Sequence, residues 1–121
     1  MRQVDPRGDS GAATIWTAMA TAALMGVAAL ACWLAATVTA RHRAEAAADL
    51  SALAAASHAA EGPAQACDRA RWIADEMRVR LLTCRWQHLD ALVEVQAPDV
   101  GFANIPGPAA RARAGPATPE G

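Results

Sequence analysis

From residue 11 to residue 40 the chain carries no charged side chain, and as a helix that run would extend roughly 45 Å at 1.5 Å per residue. A bilayer core needs only about 20 residues. Alanine is weakly apolar, so membrane affinity falls to Ile15, Trp16, Met19, Leu24, Met25, Val27, Leu30, Trp33, Leu34 and Val38, which are spread through the run. Trp16 and Trp33 stand about 25 Å apart along such a helix, close to the spacing of aromatic residues at the two water interfaces of a membrane. With Arg41 and Arg43 just beyond the run, they are the expected membrane-interface residues. A cleaved secretory signal is the alternative reading. Its apolar core is only about 7–15 residues long, half of what is present here.

The helical pattern does not stop at residue 40. Residues 41–61 contain neither glycine nor proline and are rich in alanine and leucine, which predicts one continuous helix of about 50 residues. Along this extension Ala46, Leu50, Leu53, Ala54 and Ser57 recur at spacings of three and four, a narrow stripe of small and apolar side chains and the expected helix-packing surface. Gly62-Pro63 ends the extension, since glycine suits a C-cap and proline opens the next helix. Residues 63–77 read as a short amphipathic helix with Ala66, Cys67, Ala70, Ile73, Ala74 and Met77 on one face. Residues 79–86 and 92–97 then read as two strands of a hairpin, with Leu82, Cys84 and Trp86 sharing a face of the first and Val93 and Val95 a face of the second. A loop over 98–108 precedes the alternating alanines and arginines of 109–114, an expected third, edge strand.

These elements predict an α+β, pilin-like chain: a long N-terminal transmembrane helix that continues as a rod, then a short helix and a small antiparallel sheet of two or three strands. The parts are a charged tail over 1–10, the transmembrane segment over 11–40, the helix extension over 41–61, a small external head over 63–114 and a disordered tail over 115–121. A head of this size lies near the lower limit for independent folding, so it needs the helix extension as part of its core and a crosslink as well.

Cysteine usage supplies the crosslink and bears on topology. Cys67 and Cys84 are 17 positions apart, and a bridge between them would clamp the hairpin onto the short helix, contributing about 3 kcal/mol in the chain-entropy model. Such a bridge persists in an oxidising compartment, which puts the C-terminal part outside the cytoplasm. Two reduced buried cysteines in a cytosolic domain are the alternative. Basic residues do not decide orientation, because Arg2 and Arg7 on one side balance Arg41 and Arg43 on the other.

Composition narrows function by exclusion. Charges balance at 11 basic against 12 acidic residues, so no basic face advertises nucleic acid. Every basic residue is arginine, a mark of GC-rich coding. His42, His58 and His88 lie in different elements, with no carboxylate or cysteine at ligand spacing. The expectation is therefore no catalytic residue, no metal, no cofactor and no small-molecule substrate. Cys32 reads as a small apolar packing residue, and Arg7-Gly8-Asp9 as coincidence.

The order of these parts is informative. Gly11-Ala12-Ala13-Thr14-Ile15-Trp16 opens the apolar run, Arg41-His42-Arg43 leads through alanines to Asp49-Leu50-Ser51-Ala52-Leu53, two cysteines follow, and Ala110-Arg111-Ala112-Arg113-Ala114-Gly115-Pro116 closes the chain. This closely resembles the small TadE-like proteins found near secretion and Flp/Tad pilus-assembly genes in high-GC Gram-positive bacteria. The resemblance implies a non-enzymatic pilin-like component of the cell membrane, with the bilayer and other pilin-like or Tad secretion-system membrane proteins as partners. Better-known TadE proteins carry a glutamate early in the apolar segment, and here that position is Trp16. A single-pass envelope protein that regulates a membrane partner without entering a filament is the alternative.

Overall fold

The computed structural model describes residues 6–101 and 104–117, with side-chain surroundings from residue 11 onward. The chain is α+β: a long helix α1 (Pro6–Ser57), a single 3-10 turn (Ala59–Glu61), a second helix α2 (Pro63–Glu76), and strands β1 (Arg80–Gln87), β2 (Asp90–Gln96) and β3 (Ala109–Ala114). The expected tail over 1–10 lies partly outside the described residues, and from Pro6 onward it is helical. Of the expected C-terminal tail, residues 118–121 lie outside them too. The chain divides into two units, Met1–Ala36 and Thr37–Gly121, with α1 contributing to both.

In the second unit the three strands form an antiparallel meander in the order β1-β2-β3. Val93 pairs across to Cys84 on one side and Ala112 on the other, and Val95 to Leu81 and Ala110. These inward residues meet Ala44, Ala47, Ala48, Ala52 and Ala55 of α1 and Ala66, Ala70 and Ala74 of α2 in one core. Both helices therefore lie on one face of the sheet. Among the described residues Val95 and Ser51 are the largest fully buried side chains, so the centre of the core is made by close approach of backbones across alanine, with Met77, Leu81 and Trp86 packed partly buried against it. The outer face of the sheet carries Arg85, Glu94, Arg111 and Arg113, with Arg111 Nε 3.2 Å from Glu94 Oε2 and Arg113 Nε donating to Asp90 Oδ2 at 2.6 Å.

Two expectations are corrected. The hairpin is tighter than the pattern suggested, because β1 and β2 extend to Gln87 and Asp90 and leave only His88 and Leu89 in the turn. His88 takes φ 57°, the positive sign that a two-residue hairpin connection uses to match strand twist. Leu82 also leaves the face it was expected to share with Cys84 and Trp86. The register shifts between Leu81 and Thr83, so the bulge inserts one residue, turns Leu81 inward and leaves Leu82 41% exposed.

Chain reversals are built locally. Gly62, at φ 102°, joins the 3-10 turn to α2 in a conformation that a side chain would strain. Helix α2 ends with Val79 N–H donating to Ala74 O and Arg78 N–H to Asp75 O, both at 3.0 Å, around Arg78 at φ 58°. This is the paired hydrogen-bond pattern of a Schellman cap, in which the left-handed residue is usually glycine. Arg78→Gly should therefore stabilise the head by about 1 kcal/mol, read as a rise in the thermal midpoint of the full chain in detergent. At the sheet edge, a Cβ on Gly107 would run into the carbonyl oxygens of Ala97 and Pro98. That closeness lets Ala97 N–H donate to Pro108 O at 2.9 Å and set β3 in register.

Candidate anchor and helix-packing surfaces

Within the first unit, α1 exposes every described side chain from residue 11 to residue 36. It is long and apolar enough to cross a membrane. Its hydroxyls are satisfied inside the helix: Thr17 Oγ1 donates to Ala13 O and Thr21 Oγ1 to Thr17 O, each at 2.8 Å. Back-bonding of this kind lets threonine enter hydrocarbon without an orphaned donor. Ala13, Thr14, Thr17, Ala18, Thr21, Ala22 and Met25 line a shallow groove along one side, a mostly small-residue surface of the kind that lets transmembrane helices approach closely. Trp16 and Trp33 are 73% and 55% exposed.

The residues beyond the apolar run behave differently from one another. Arg41 Nε lies 3.0 Å from Glu45 Oε1, one helical turn on, and His42 Nδ1 lies 3.6 Å from the other oxygen of the same carboxylate. Both partners are well exposed, so the pair is worth only tenths of a kcal/mol. Arg43 and Asp49 form no ion pair among the described residues.

The extension of α1 packs its own head on a face the sequence reading did not choose. Ala44, Ala47, Ala48, Ser51, Ala52 and Ala55 are buried, whereas Leu50 and Leu53 of the expected stripe are 49% and 59% exposed, Ala46 and Ser57 are exposed and Ala54 is half-buried. At 100° per residue the expected stripe lies on the side of α1 opposite the head. The head is thus served by the smallest side chains, and the two leucines are left facing outward. The missed signal was size: a sheet and a second helix come close only where the helix shows nothing larger than alanine or serine.

Cys67 and Cys84 are joined, with Cα atoms 5.9 Å apart, and the bridge ties α2 to β1. Cys32 is free and exposed on α1. Among the described residues no group of three or more His, Cys, Asp or Glu is placed to hold a metal ion. His58 Nδ1 lies 2.9 Å from Ala54 O and 3.0 Å from Ser57 Oγ, at the end of α1.

Among the described residues, two buried side-chain polar atoms lack hydrogen-bond partners, Ser51 Oγ and Trp86 Nε1. A buried unsatisfied hydroxyl costs roughly 1–3 kcal/mol. Ser51→Ala, which matches its alanine neighbours in size, should therefore raise the thermal midpoint of the full chain. An unchanged or lower midpoint would show that the hydroxyl is satisfied in solution.

Comparison with known proteins bears on the helix. Residues 11–58 match a family described as putative Flp pilus-assembly TadE/G-like, so the resemblance read from the sequence is met along α1. The chain is also 51% identical over 55 residues to a protein of Mycobacterium tuberculosis (strain ATCC 25618 / H37Rv) named apoptosis inhibitor Rv3654c. That alignment spans 46% of this chain and 66% of the relative, just under two thirds of its length. No solved structure matches the chain.

Proposed function

Because α1 is a TadE/G-like segment, we propose that the chain is a pilin-like structural or assembly component of a Tad-type pilus or secretion apparatus. The apolar part of α1 lies in the membrane and the bridged head outside the cytoplasm, where the Cys67–Cys84 bond persists. The observation that carries this reading is the family match over residues 11–58, which takes in both the apolar run and the helix extension. An apolar helical segment exposed from residue 11 to residue 36, followed by a small, crosslinked α+β head, suits a subunit whose helix packs among others while its head meets solvent. The partners are the bilayer and other pilin-like or Tad membrane proteins, and the working surfaces are helix faces, so no catalytic role is assigned.

One observation favours a second reading. Where better-known TadE proteins have an acid early in the apolar segment, this chain has Trp16, which suits a subunit that stays in the membrane and acts on a partner there. Shearing cells that make pili separates the two. Release of the chain with the filament fraction is the result expected for a subunit, and exclusive retention in the membrane would leave the second reading. Labelling of cysteines on intact cells, with and without reductant, should show Cys67 and Cys84 to be external and reactive only after reduction.

A further inference from the structure

Where α2 ends, β1 begins and β2 ends, the head has a cleft of about 530 Å³, lined in part by Asp75, Arg78, Val79, Arg80, Ala97 and Asp99. Its size falls within the roughly 300–1,000 Å³ of sites that take small molecules. Val79 and Ala97 are buried, and the Gln96 amide already donates to Gly107 O at 3.3 Å. What the cleft offers a ligand is chiefly its two arginines and two aspartates. None of these four forms an ion pair among the described residues, whereas Glu94 and Asp90 on the outer face of the sheet hold Arg111 and Arg113. The backbone adds an independent sign. Arg78 stands at φ 58° in the left-handed cap position where glycine is ordinary, so a long cation is kept there against backbone strain, as happens at functional positions.

The level of the cleft within the head indicates the ligand. Arg80, Gln96 and Ala109 pair in one row across the three strands, and Ala109 shares a hollow with Arg41 and Glu45 of α1. Arg41 is the first charge after the uncharged run. Along the side of α1 that meets the head, Ala36 is exposed, Ala40 half-buried and Ala44 buried, so the head begins at that level. The cleft therefore opens at the end of the head where α1 enters it. With the uncharged run in a membrane, that end lies in the headgroup layer, where the first charges after a spanning helix fall.

We propose that this cleft binds the headgroup of a zwitterionic phospholipid, with Arg78 and Arg80 on its phosphate and Asp75 and Asp99 on its ammonium. Guanidinium forks match phosphate oxygens, and the carbonyl end of α2 adds to the attraction of the aspartates for a cation. A ligand of both signs fits a site of both signs. A simple anion would meet two aspartates there, and a simple cation two arginines. Just past Asp99, Val100 N–H donates to Ile105 O at 3.0 Å, and Ile105 is exposed, an apolar side chain near the charges for the lipid's acyl stem. The lipid ties the head to the bilayer surface at a second point besides α1. This rests on the reading of the uncharged run as membrane-embedded and is independent of entry into a filament.

The test uses the full-length chain in nanodiscs of mixed phosphatidylethanolamine and phosphatidylcholine, treated with a water-soluble carbodiimide. The reagent takes up the water lost as a carboxylate and a neighbouring primary amine form an amide, so a held ethanolamine headgroup leaves its lipid on Asp75 or Asp99, read by peptide mass. That adduct should exceed the one on Glu45, at the same end of the head. Arg80→Gln should lower it about fivefold. Arg78→Gly should lower it as much while raising the thermal midpoint, a pair of opposite changes that a purely structural role for Arg78 does not produce. Excess glycerophosphoethanolamine should compete the adduct away, and inorganic phosphate at the same concentration should not. Equal competition by phosphate would overturn the zwitterionic ligand. An adduct spread equally onto Glu45, or indifferent to both arginine changes, would overturn the site. Release of the chain from cell membranes by alkaline carbonate, with glycerophosphoethanolamine still coupling to Asp75 or Asp99 of the chain in detergent, would sink the membrane reading and leave the headgroup site standing. Retention in the membrane with no adduct would do the reverse.

Discussion

Replacing Cys67 and Cys84 together by serine is expected to cost the head about 3 kcal/mol. The bond closes a loop of 17 residues that contains the end of α2, its left-handed cap at Arg78 and most of β1. Without it the unfolded head regains the freedom of that loop, and the folded head has little else to oppose it. The buried core is built of alanines with Val79, Val93 and Val95, and Met77, Leu81 and Trp86 pack against it only partly buried; an alanine side chain buries a single methyl group, worth only a fraction of what a leucine supplies. A stabilisation that is modest in a protein with a large core is therefore decisive here. The full-length double variant in detergent should melt well below the parent and lose protease resistance from residue 63 onward, and reductant should have the same effect on the parent. Unchanged melting and protease resistance would mean that packing on α1 alone holds the head.

The second large effect concerns the face of α1 that the head covers. Ala48→Leu should destabilise the head by about 1–3 kcal/mol, since three added heavy atoms enter a contact that exists only because nothing larger than serine stands there. Leu53→Ala removes three heavy atoms from a side chain 59% exposed and should leave the melting of the isolated chain within about 0.5 kcal/mol. This contrast inverts the usual rule that truncating leucine costs more than enlarging alanine. Melting curves of the two variants in one detergent decide it. A larger loss for Leu53→Ala would place the head on the leucine stripe and remove the free face.

Much of the architecture was legible before the structure. The long uncharged run, its continuation to the end of α1, the break at Gly62-Pro63, a short second helix and a hairpin followed by an edge strand all follow from periodicity and from where glycine and proline fall. The Cys67–Cys84 bridge was legible as well, because an amphipathic helix and a following strand each put one cysteine on their inner face. Leu82 was misplaced because a bulge carries no mark in the residues themselves: one inserted residue flips the alternation, and Leu81-Leu82 offers an apolar side chain for either face. The hairpin turn was read too long for a related reason, since His88-Leu89 contains no glycine or asparagine to announce a left-handed turn.

The stripe on α1 is the most instructive difference. Hydrophobicity along a helix points to the leucines, and local sequence cannot separate a face that packs against its own chain from one left for another. Local interactions, set by backbone propensity and by the period of apolar residues, determined that this protein has an uncharged helix able to span a bilayer and a small α+β head behind it. Only the tertiary structure decided which side of the helix the head takes, because that depends on how closely backbones can approach. Close approach selects the alanines at 44, 47, 48, 52 and 55, and so it leaves Leu50 and Leu53 facing outward.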